Sequence, residues 1–422
     1  MKQAVKRNLF LFVPAKMVAV LGSSIYGFAI GLYILEQTGS SLNFAITLLM
    51  SALPRVLLSP VAGALADRYD RKKIIIFSDF GCAIWLGIIL VLFTFVTQDI
   101  WLLYIASAIL TTLNTFYSNA VTSTIFNMVG PDNIQKAMSL NQSAASMSAI
   151  LGPVLGGAFF GFMPITTFMA INIAAFSISG ILSLFIRYNL FAEKKDLTER
   201  TGFFQDLKEG FIYVRNEPFI KHLIFFAIWL NFWFTAFPVA LPYLVLVVRN
   251  MPSYQLGIIE GSFSVGTLLM ALILSVRPEI KKKEFAILSG ITGMSIALIL
   301  MGLPSLPVAS GIPNTAIFIY LIALVLISSS LSMVINMPIF VLLQKKTPDE
   351  LRGRVMSLLE TGASGMTPVG LILFGVLFEI LPAWMLMAIS GAAILLLVTY
   401  HVWKKTFSRY LREDSVPAQS GL

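Results

Sequence analysis

The chain has 422 residues, of which 57% are apolar and only 12% are charged. Soluble domains contain about 45–50% apolar and about 25% charged residues, so this composition cannot cover a surface that faces water. It excludes a large soluble enzyme and a disordered protein, and it indicates a chain surrounded mostly by lipid. The single cysteine, Cys82, excludes a disulfide framework, and the two distant histidines, His222 and His401, argue against a metal centre. We therefore expect no metal and no cofactor.

Apolar runs long enough to cross a bilayer occur twelve times along the chain. A spanning helix needs about 20 mostly apolar residues, and polar breaks separate runs of this length. The predicted helices cover residues 8–35, 43–66, 74–97, 100–126, 137–161, 165–187, 218–248, 254–276, 284–306, 313–343, 354–381 and 383–403. Short proline-marked joints at Pro164 and Pro382 are typical of tight turns between antiparallel helices. We predict an all-α membrane protein with twelve transmembrane helices in two six-helix, pseudo-symmetric bundles.

Basic residues concentrate in every second loop of this topology. If the N-terminus is cytoplasmic, 27 of the 30 lysines and arginines fall in the cytoplasmic tails and loops, as the positive-inside rule expects. The net charge of +9 therefore reflects topology and not a nucleic-acid partner. The apolar start is too long for a signal peptide, so we interpret it as the first span. Both termini are expected to be cytoplasmic in a plasma membrane, the bacterial inner membrane.

A polar segment divides the chain into two halves. Residues 1–187 form a predicted N-terminal six-helix bundle, residues 188–217 a cytoplasmic linker, and residues 218–422 a C-terminal six-helix bundle with a cytoplasmic tail.

An internal repeat relates helix 5 to helix 11. Residues 131–164 and 348–382 share a spaced set of identical positions, which include Met138 with Met356, Gly152 with Gly370, and Pro164 with Pro382. Two six-helix halves predict this offset, and parallel repeats around a central site are one architecture of secondary transporters.

Three segments carry a resemblance to a known family. The stretch from Leu53-Pro54-Arg55 through Ser59–Lys73 resembles the signature loop between helices 2 and 3 of the major facilitator superfamily. Helix 5 contains Gly152-Pro153-Val154-Leu155-Gly156-Gly157, which is similar to the antiporter motif of that superfamily. The Arg352-Gly353-Arg354-Val355 start of helix 11 is similar to the branch of macrolide-efflux pumps and siderophore exporters. The resemblance, from Phe10 to Val402, implies a drug:proton antiporter that works by alternating access.

The loop after helix 2 is a candidate cytoplasmic gate, made of Gly63, Asp67, Arg68, Arg71 and Lys72. Gly63 would let two helices approach closely, and Asp67 could accept hydrogen bonds from another helix end or a guanidinium. The basic side chains could pair with acids or lipid phosphates. The resemblance implies a latch that breaks between transport states, whereas the alternative is a basic loop that only sets topology.

Helix 5 contains a second candidate site, formed by Gly152, Pro153, Gly156 and Gly157. Pro153 interrupts the backbone hydrogen bonds and the glycines remove side chains on both sides. A bend point used in transport and simple tight packing remain alternative interpretations.

Charged residues inside spans are the proton-coupling candidates: Lys16, Arg55, Asp79, Glu260 and Glu360. Each costs roughly 2.5–3.5 kcal/mol at a helix centre on insertion scales, which favours a functional role. In the resembled fold helices 2 and 11 face each other, so Arg55 is expected to pair with Glu360. Structural pairing, or headgroup contact for Asp79, is the alternative.

The resembled fold lines its cavity with helices 1, 4, 7 and 10. The substrate-cavity candidates on these helices are Tyr26, Asn114, Tyr117, Trp229, Asn231, Trp233 and Asn336. Amides, hydroxyls and aromatic rings suit a large amphipathic ligand, although such residues also serve helix packing.

Other classes fit less well. The sequence lacks a phosphate-binding Gly-x-x-x-x-Gly-Lys-Ser/Thr loop, a catalytic cluster and a pore-lining charge ring. We predict a monomeric secondary transporter, a proton-coupled exporter of amphipathic small molecules such as macrolide-like drugs. A facilitator, or a siderophore or metabolite exporter, is the alternative within this fold, and an integral membrane enzyme is the alternative outside it.

Overall fold

The computed structural model describes residues 2–191, 211–278, 280, 282–347 and 352–403. All regular secondary structure in these ranges is helical. Twelve of the helices are long and apolar enough to cross a membrane. The prediction of an all-α membrane protein with twelve transmembrane helices is confirmed.

The first six helices follow the predicted spans closely. They are α1 (Lys2–Thr38), α2 (Ser41–Arg68), α3 (Arg71–Phe95), α4 (Ile100–Val129), α5 (Ile134–Phe160) and α6 (Ile165–Phe185). Short polar side chains fix two of their starts, as N-caps do. The Ser40 hydroxyl accepts from the Asn43 N–H at 3.2 Å, and Asp70 accepts from the Lys72 N–H at 2.9 Å.

The later helices are more often interrupted. Helix α7 (Pro218–Val248) consists of Pro218–Phe234, Ala236–Pro242 and a π-helical end, Tyr243–Val248. It is followed by α8 (Ser253–Val276), α9 (Lys283–Met301), α10 (Asn314–Lys346), α11 (Arg352–Gly365 and Thr367–Ile380) and α12 (Ala383–Trp403). The break in α11 precedes Pro368, and the π-helical end of α7 follows Pro242, because a proline removes one backbone donor from the helix ladder.

The chain forms two compact units. The first contains α1 to α6 together with Val245–Gly261, and the second contains residues 211–244 and the described residues from Ser262 onward. The predicted domain boundaries remain a prediction, because residues 192–210 of the proposed linker lie outside the described ranges.

The same neighbour pattern recurs in each unit. In the first, α1 packs against α5 and α6, while α3 packs against α4 and α6. In the second, α7 packs against α11, and α9 packs against α10 and α12. These pairs correspond when α1 is matched with α7 and α3 with α9, so the packing agrees with the repeat found in the sequence.

One contact illustrates the repeat at atomic level. A Cβ added at Gly152 of α5 would lie 2.6 Å from the Ser24 Cβ of α1. A Cβ added at the repeat-matched Gly370 of α11 would lie 2.9 Å from the Thr235 Cβ of α7. In each unit, a glycine therefore leaves room for a hydroxyl side chain on the first helix of that unit, α1 or α7. Small residues at such positions allow close helix packing in membranes.

Candidate functional site

A cavity of about 650 Å³ lies within the first unit. Helix α4 supplies one polar wall, formed by Thr111, Asn114, Thr115, Ser118, Asn119 and Thr122. Their spacing of three or four residues places them on one helix face. Helices α1, α2, α5 and α6 complete the described wall, and the size is within the range of small-molecule sites.

Three of the seven predicted substrate residues line this cavity: Tyr26, Asn114 and Tyr117. Tyr26 and Tyr117 are buried.

The other four predicted substrate residues belong to the second unit. The amides of Asn231 and Asn336 donate to backbone oxygens one turn earlier, at Ala227 and Ser332, both at 2.9 Å. Trp233 packs on the Phe374 ring at 6.1 Å, and the Trp229 ring is 6.3 Å from Phe225. Their contact with substrate stays a prediction.

Two charged side chains line the cavity, Lys16 of α1 and Arg55 of α2. Lys16 is only 7% exposed, and its Nζ lies 4.8 Å from the centre of the Tyr117 ring, a cation–π distance. Arg55 is exposed, and its guanidinium makes no hydrogen bond or ion pair within the described part of the chain.

Asp79 is buried in the core of the first unit and interacts electrostatically with Lys16. Its Oδ2 accepts a hydrogen bond from the Ser179 hydroxyl at 2.9 Å, so the alternative of headgroup contact is wrong. Tyr188, beyond the end of α6, interacts with the same carboxylate and with Ser183. Burial raises the pKa of Tyr188, so its phenol stays protonated at neutral pH.

Sequence reasoning missed the contribution of α6. Ser179 holds the Asp79 carboxylate, and the buried Asn172 lines the cavity. Polar residues in an otherwise apolar span are the signal that could have indicated them.

Of the two glutamates among the candidates, Glu260 belongs to the first unit and is not one of the described residues that line the cavity. Glu260 is half-buried in α8, and within the described ranges its carboxylate makes no hydrogen bond or ion pair. Glu360 lies in the Arg352–Gly365 segment of α11, but its side chain is outside the description. The predicted pair with Arg55 is therefore untested.

Two glycines of the helix 5 motif are closely packed within the first unit. A Cβ added at Gly156 would lie 2.9 Å from the Phe28 ring of α1, and one added at Gly157 would lie 2.7 Å from the Ser253 carbonyl oxygen of α8. On α8, a Cβ at Gly257 would overlap the carbonyl oxygen of Pro153. Helix α5 runs without a break through Pro153. Close packing is observed, whereas the use of Pro153 as a bend point stays a prediction.

Basic residues that follow α2 bind backbone carbonyls of α2, α4 and α6. Arg71 donates to the carbonyl oxygens of Ala66 at 2.9 Å and Ser123 at 2.7 Å, and Lys72 donates to that of Leu184 at 2.7 Å. Ala66 and Leu184 lie in the last turns of α2 and α6, where cations are favoured because the last carbonyls of a helix are unpaired and carry negative partial charge. Ser123 lies about two turns before the end of α4. The Asp67 and Arg68 side chains lie outside the description.

The close helix approach predicted at Gly63 is absent. A Cβ added there meets only Asn119 Oδ1 at 3.9 Å among the described residues, which is an ordinary contact. The helices near Gly63 leave room for a methyl group, so packing does not require a glycine in this conformation.

Replacement of Arg71 by alanine should destabilise the first unit by about 1–3 kcal/mol, because hydrogen bonds from a charged group are lost and carbonyls are left unpaired. The thermal midpoint of the purified protein measures this change. Lys73→Ala removes a neighbouring exposed charge and should change stability by less than about 0.5 kcal/mol. Equal midpoints for the two variants would contradict an anchoring role for Arg71.

Comparison with known proteins identifies the family of this chain. Residues 12–371 match the Major Facilitator Superfamily. Macrolide efflux protein A of Streptococcus pyogenes is 24% identical over 368 residues, 87% of this chain and 88% of that protein. Multidrug efflux pump Tap of Mycolicibacterium fortuitum is 24% identical over 381 residues, 88% of this chain and 89% of that protein.

Solved structures with this fold include other transporters. A bacterial homologue of the iron transporter ferroportin, in an inward-facing state, has a TM-score of 0.67 and 16% identity, and the match covers 95% of this chain and 98% of that one. Nucleoside transporter NupG has a TM-score of 0.70 and 13% identity, with coverage of 93% and 98%. This multi-pass membrane protein belongs to the Major Facilitator Superfamily and is a transporter of small molecules, not an enzyme.

Proposed function

We propose that this protein is a proton-coupled exporter of amphipathic small molecules that works by alternating access, with both termini in the cytoplasm of a bacterial cell. The observation that carries the proposal is the cavity in the first unit, which combines aromatic rings, amides and hydroxyls with two cations. Such a wall binds an amphipathic ligand by apolar area and a few hydrogen bonds. The efflux names of the relatives support the outward direction.

Two carboxylates can be compared as proton carriers. Asp79 accepts a hydrogen bond from Ser179 and is attracted by Lys16 through space, and both offset part of its charge. Glu260 makes no such interaction within the described ranges. An uncompensated charge in an apolar medium is costly, so protonation should lower the free energy of the Glu260 carboxylate more than that of Asp79. We therefore assign the proton-coupling role to Glu260.

The position of Glu260 supports this assignment. It lies between Gly257 and Gly261 on α8, and both glycines contact α5, Gly257 at Pro153 and Gly261 at Val154. A change of charge at Glu260 therefore occurs beside a close backbone contact between α5 and α8, where it can bias which packing is favoured. This is the local event that a two-state transporter needs.

Flux measurements in proteoliposomes test the proposal. Proteoliposomes are loaded with each compound of a dye and macrolide panel, and its efflux rate is measured. The measurement is made with a proton gradient imposed and again after an ionophore has collapsed the gradient. We expect uphill movement of at least one compound with the gradient and only downhill movement without it. Flux that is the same with and without the gradient would instead indicate a facilitator.

A further inference from the structure

The charges on the described cavity wall are all of one sign. Lys16 and Arg55 are cations, and the described residues that line the cavity include no aspartate or glutamate. A cationic ligand would meet repulsion there without a carboxylate to compensate it. An anionic group would meet two donors that suit carboxylate, sulfonate or phosphate oxygens.

Lys16 is held in place for such a contact. It is more than nine-tenths buried, yet it lines the cavity. Its ammonium lies over the Tyr117 ring at 4.8 Å and interacts with Asp79, which belongs to α3 and does not line the cavity. Lys16 is therefore attracted by Asp79 without a contact ion pair, and it also borders the ligand space.

The counter-ion is itself only partly satisfied. Asp79 Oδ2 accepts from Ser179, but Oδ1 has no hydrogen-bond partner among the described residues. The charge of this carboxylate attracts Lys16 through space and opposes the binding of an anion in the cavity. Arg55, on α2, has no internal competitor within the described part of the chain.

We propose that the cavity binds the anionic head of an amphipathic substrate through Lys16 and Arg55, and that Asp79 acts through space as a counter-ion of Lys16 that weakens this binding. The apolar body of the substrate lies against Val20, Phe28 and Leu110, which line the same cavity. This inference rests on the proposed transport function and names its substrate class. A membrane potential that is negative inside the cell favours outward movement of such an anion.

Binding to three matched probes tests the charge preference. Pyrenebutyric acid, pyrenebutanol and pyrenebutylamine share one apolar body and differ in head charge. Energy transfer from tryptophan to pyrene is measured with the protein in nanodiscs, and empty nanodiscs are subtracted. We expect the acid to bind roughly tenfold or more tightly than the alcohol, and the amine to bind most weakly.

Variants assign the preference to residues. Arg55→Gln, on an exposed part of the wall, and Lys16→Met should each reduce the acid-over-alcohol preference, whereas Lys16→Arg should retain it. Asp79→Asn can still accept from Ser179 but no longer attracts Lys16, so it should tighten acid binding. Lys73→Ala removes a cation that does not line the cavity and serves as the charge-matched control.

Equal affinities for acid and alcohol, or a preference for the amine, would overturn the proposal. Weaker acid binding by an Asp79→Asn protein of wild-type thermal stability would overturn the counter-ion role. These measurements need no proton gradient. A failed charge preference thus leaves the gradient-driven export test untouched, and a failed export test leaves the binding result standing.

Discussion

Replacement of Glu260 by glutamine should abolish uphill export while leaving downhill exchange of substrate in place. Glutamine keeps the size and polarity of the side chain but cannot take up or release a proton. If Glu260 carries the proton, the variant should move substrate only along its concentration gradient, and the imposed proton gradient should no longer change the rate. Proteoliposome efflux, compared with counterflow in the same vesicles, measures the two properties separately.

Two further variants act as controls for this result. Glu260→Asp retains a titratable group and should retain uphill export at a reduced rate. Glu36→Gln makes the same chemical change at an exposed position near the end of α1 and should export normally. Normal uphill export by Glu260→Gln would remove Glu260 from the coupling mechanism and direct attention to Asp79 and Glu360.

Replacement of Gly257 by alanine should destabilise the first unit and stop transport. The added methyl group would overlap the Pro153 carbonyl oxygen, and Gly157 Cα lies 3.3 Å away. These atoms are backbone on a facing helix, so no rotamer change can make room. Overpacking costs about 1–3 kcal/mol where side chains can adjust, and a rigid neighbour places this site at the upper end of that range.

Gly87→Ala is the matched control, because a Cβ at this glycine of α3 meets nothing within 4 Å among the described residues. Alanine should there stabilise the helix by up to about 1 kcal/mol, since glycine is the poorer helix former. Thermal midpoints of the two variants should move in opposite directions. A Gly257→Ala protein with wild-type stability and transport would mean that α5 and α8 separate freely at this point.

The membrane helices could be predicted from sequence because a span is a local property, a run of apolar residues of sufficient length. The joints before Ile165 and Ala383 were equally local, since prolines mark them. The breaks in α7 and α11 were not predicted. Prolines occur both inside unbroken helices, as Pro153 does, and beside broken ones, so their effect depends on the neighbouring helix.

The candidate site was predicted only in part, because its contacts join residues far apart in the chain. Lys16 and Asp79 could each be named as candidates because they are charged residues within predicted spans. Their neighbourhood with Ser179 depends on the packing of α1, α3 and α6, which the sequence does not show. Arg71 was expected to pair with acids or lipid phosphates. Its described hydrogen bonds go to carbonyls of α2 and α4, which no local pattern encodes. Its pairing with acids or lipid phosphates stays a prediction.

Asn8 of α1 has a consequence for how the chain is made. Its buried side-chain amide donates to the carbonyl oxygens of Met128 and Arg187, at 3.0 and 2.9 Å, and its Oδ1 accepts from the Arg187 N–H at 3.1 Å. At roughly 5–20 residues per second, a ribosome synthesises Arg187, one partner of these hydrogen bonds, about 10–40 s after Asn8. Through that interval the first helix waits in the translocation machinery or lipid without its polar partners, and the bundle closes only when the sixth helix has been released.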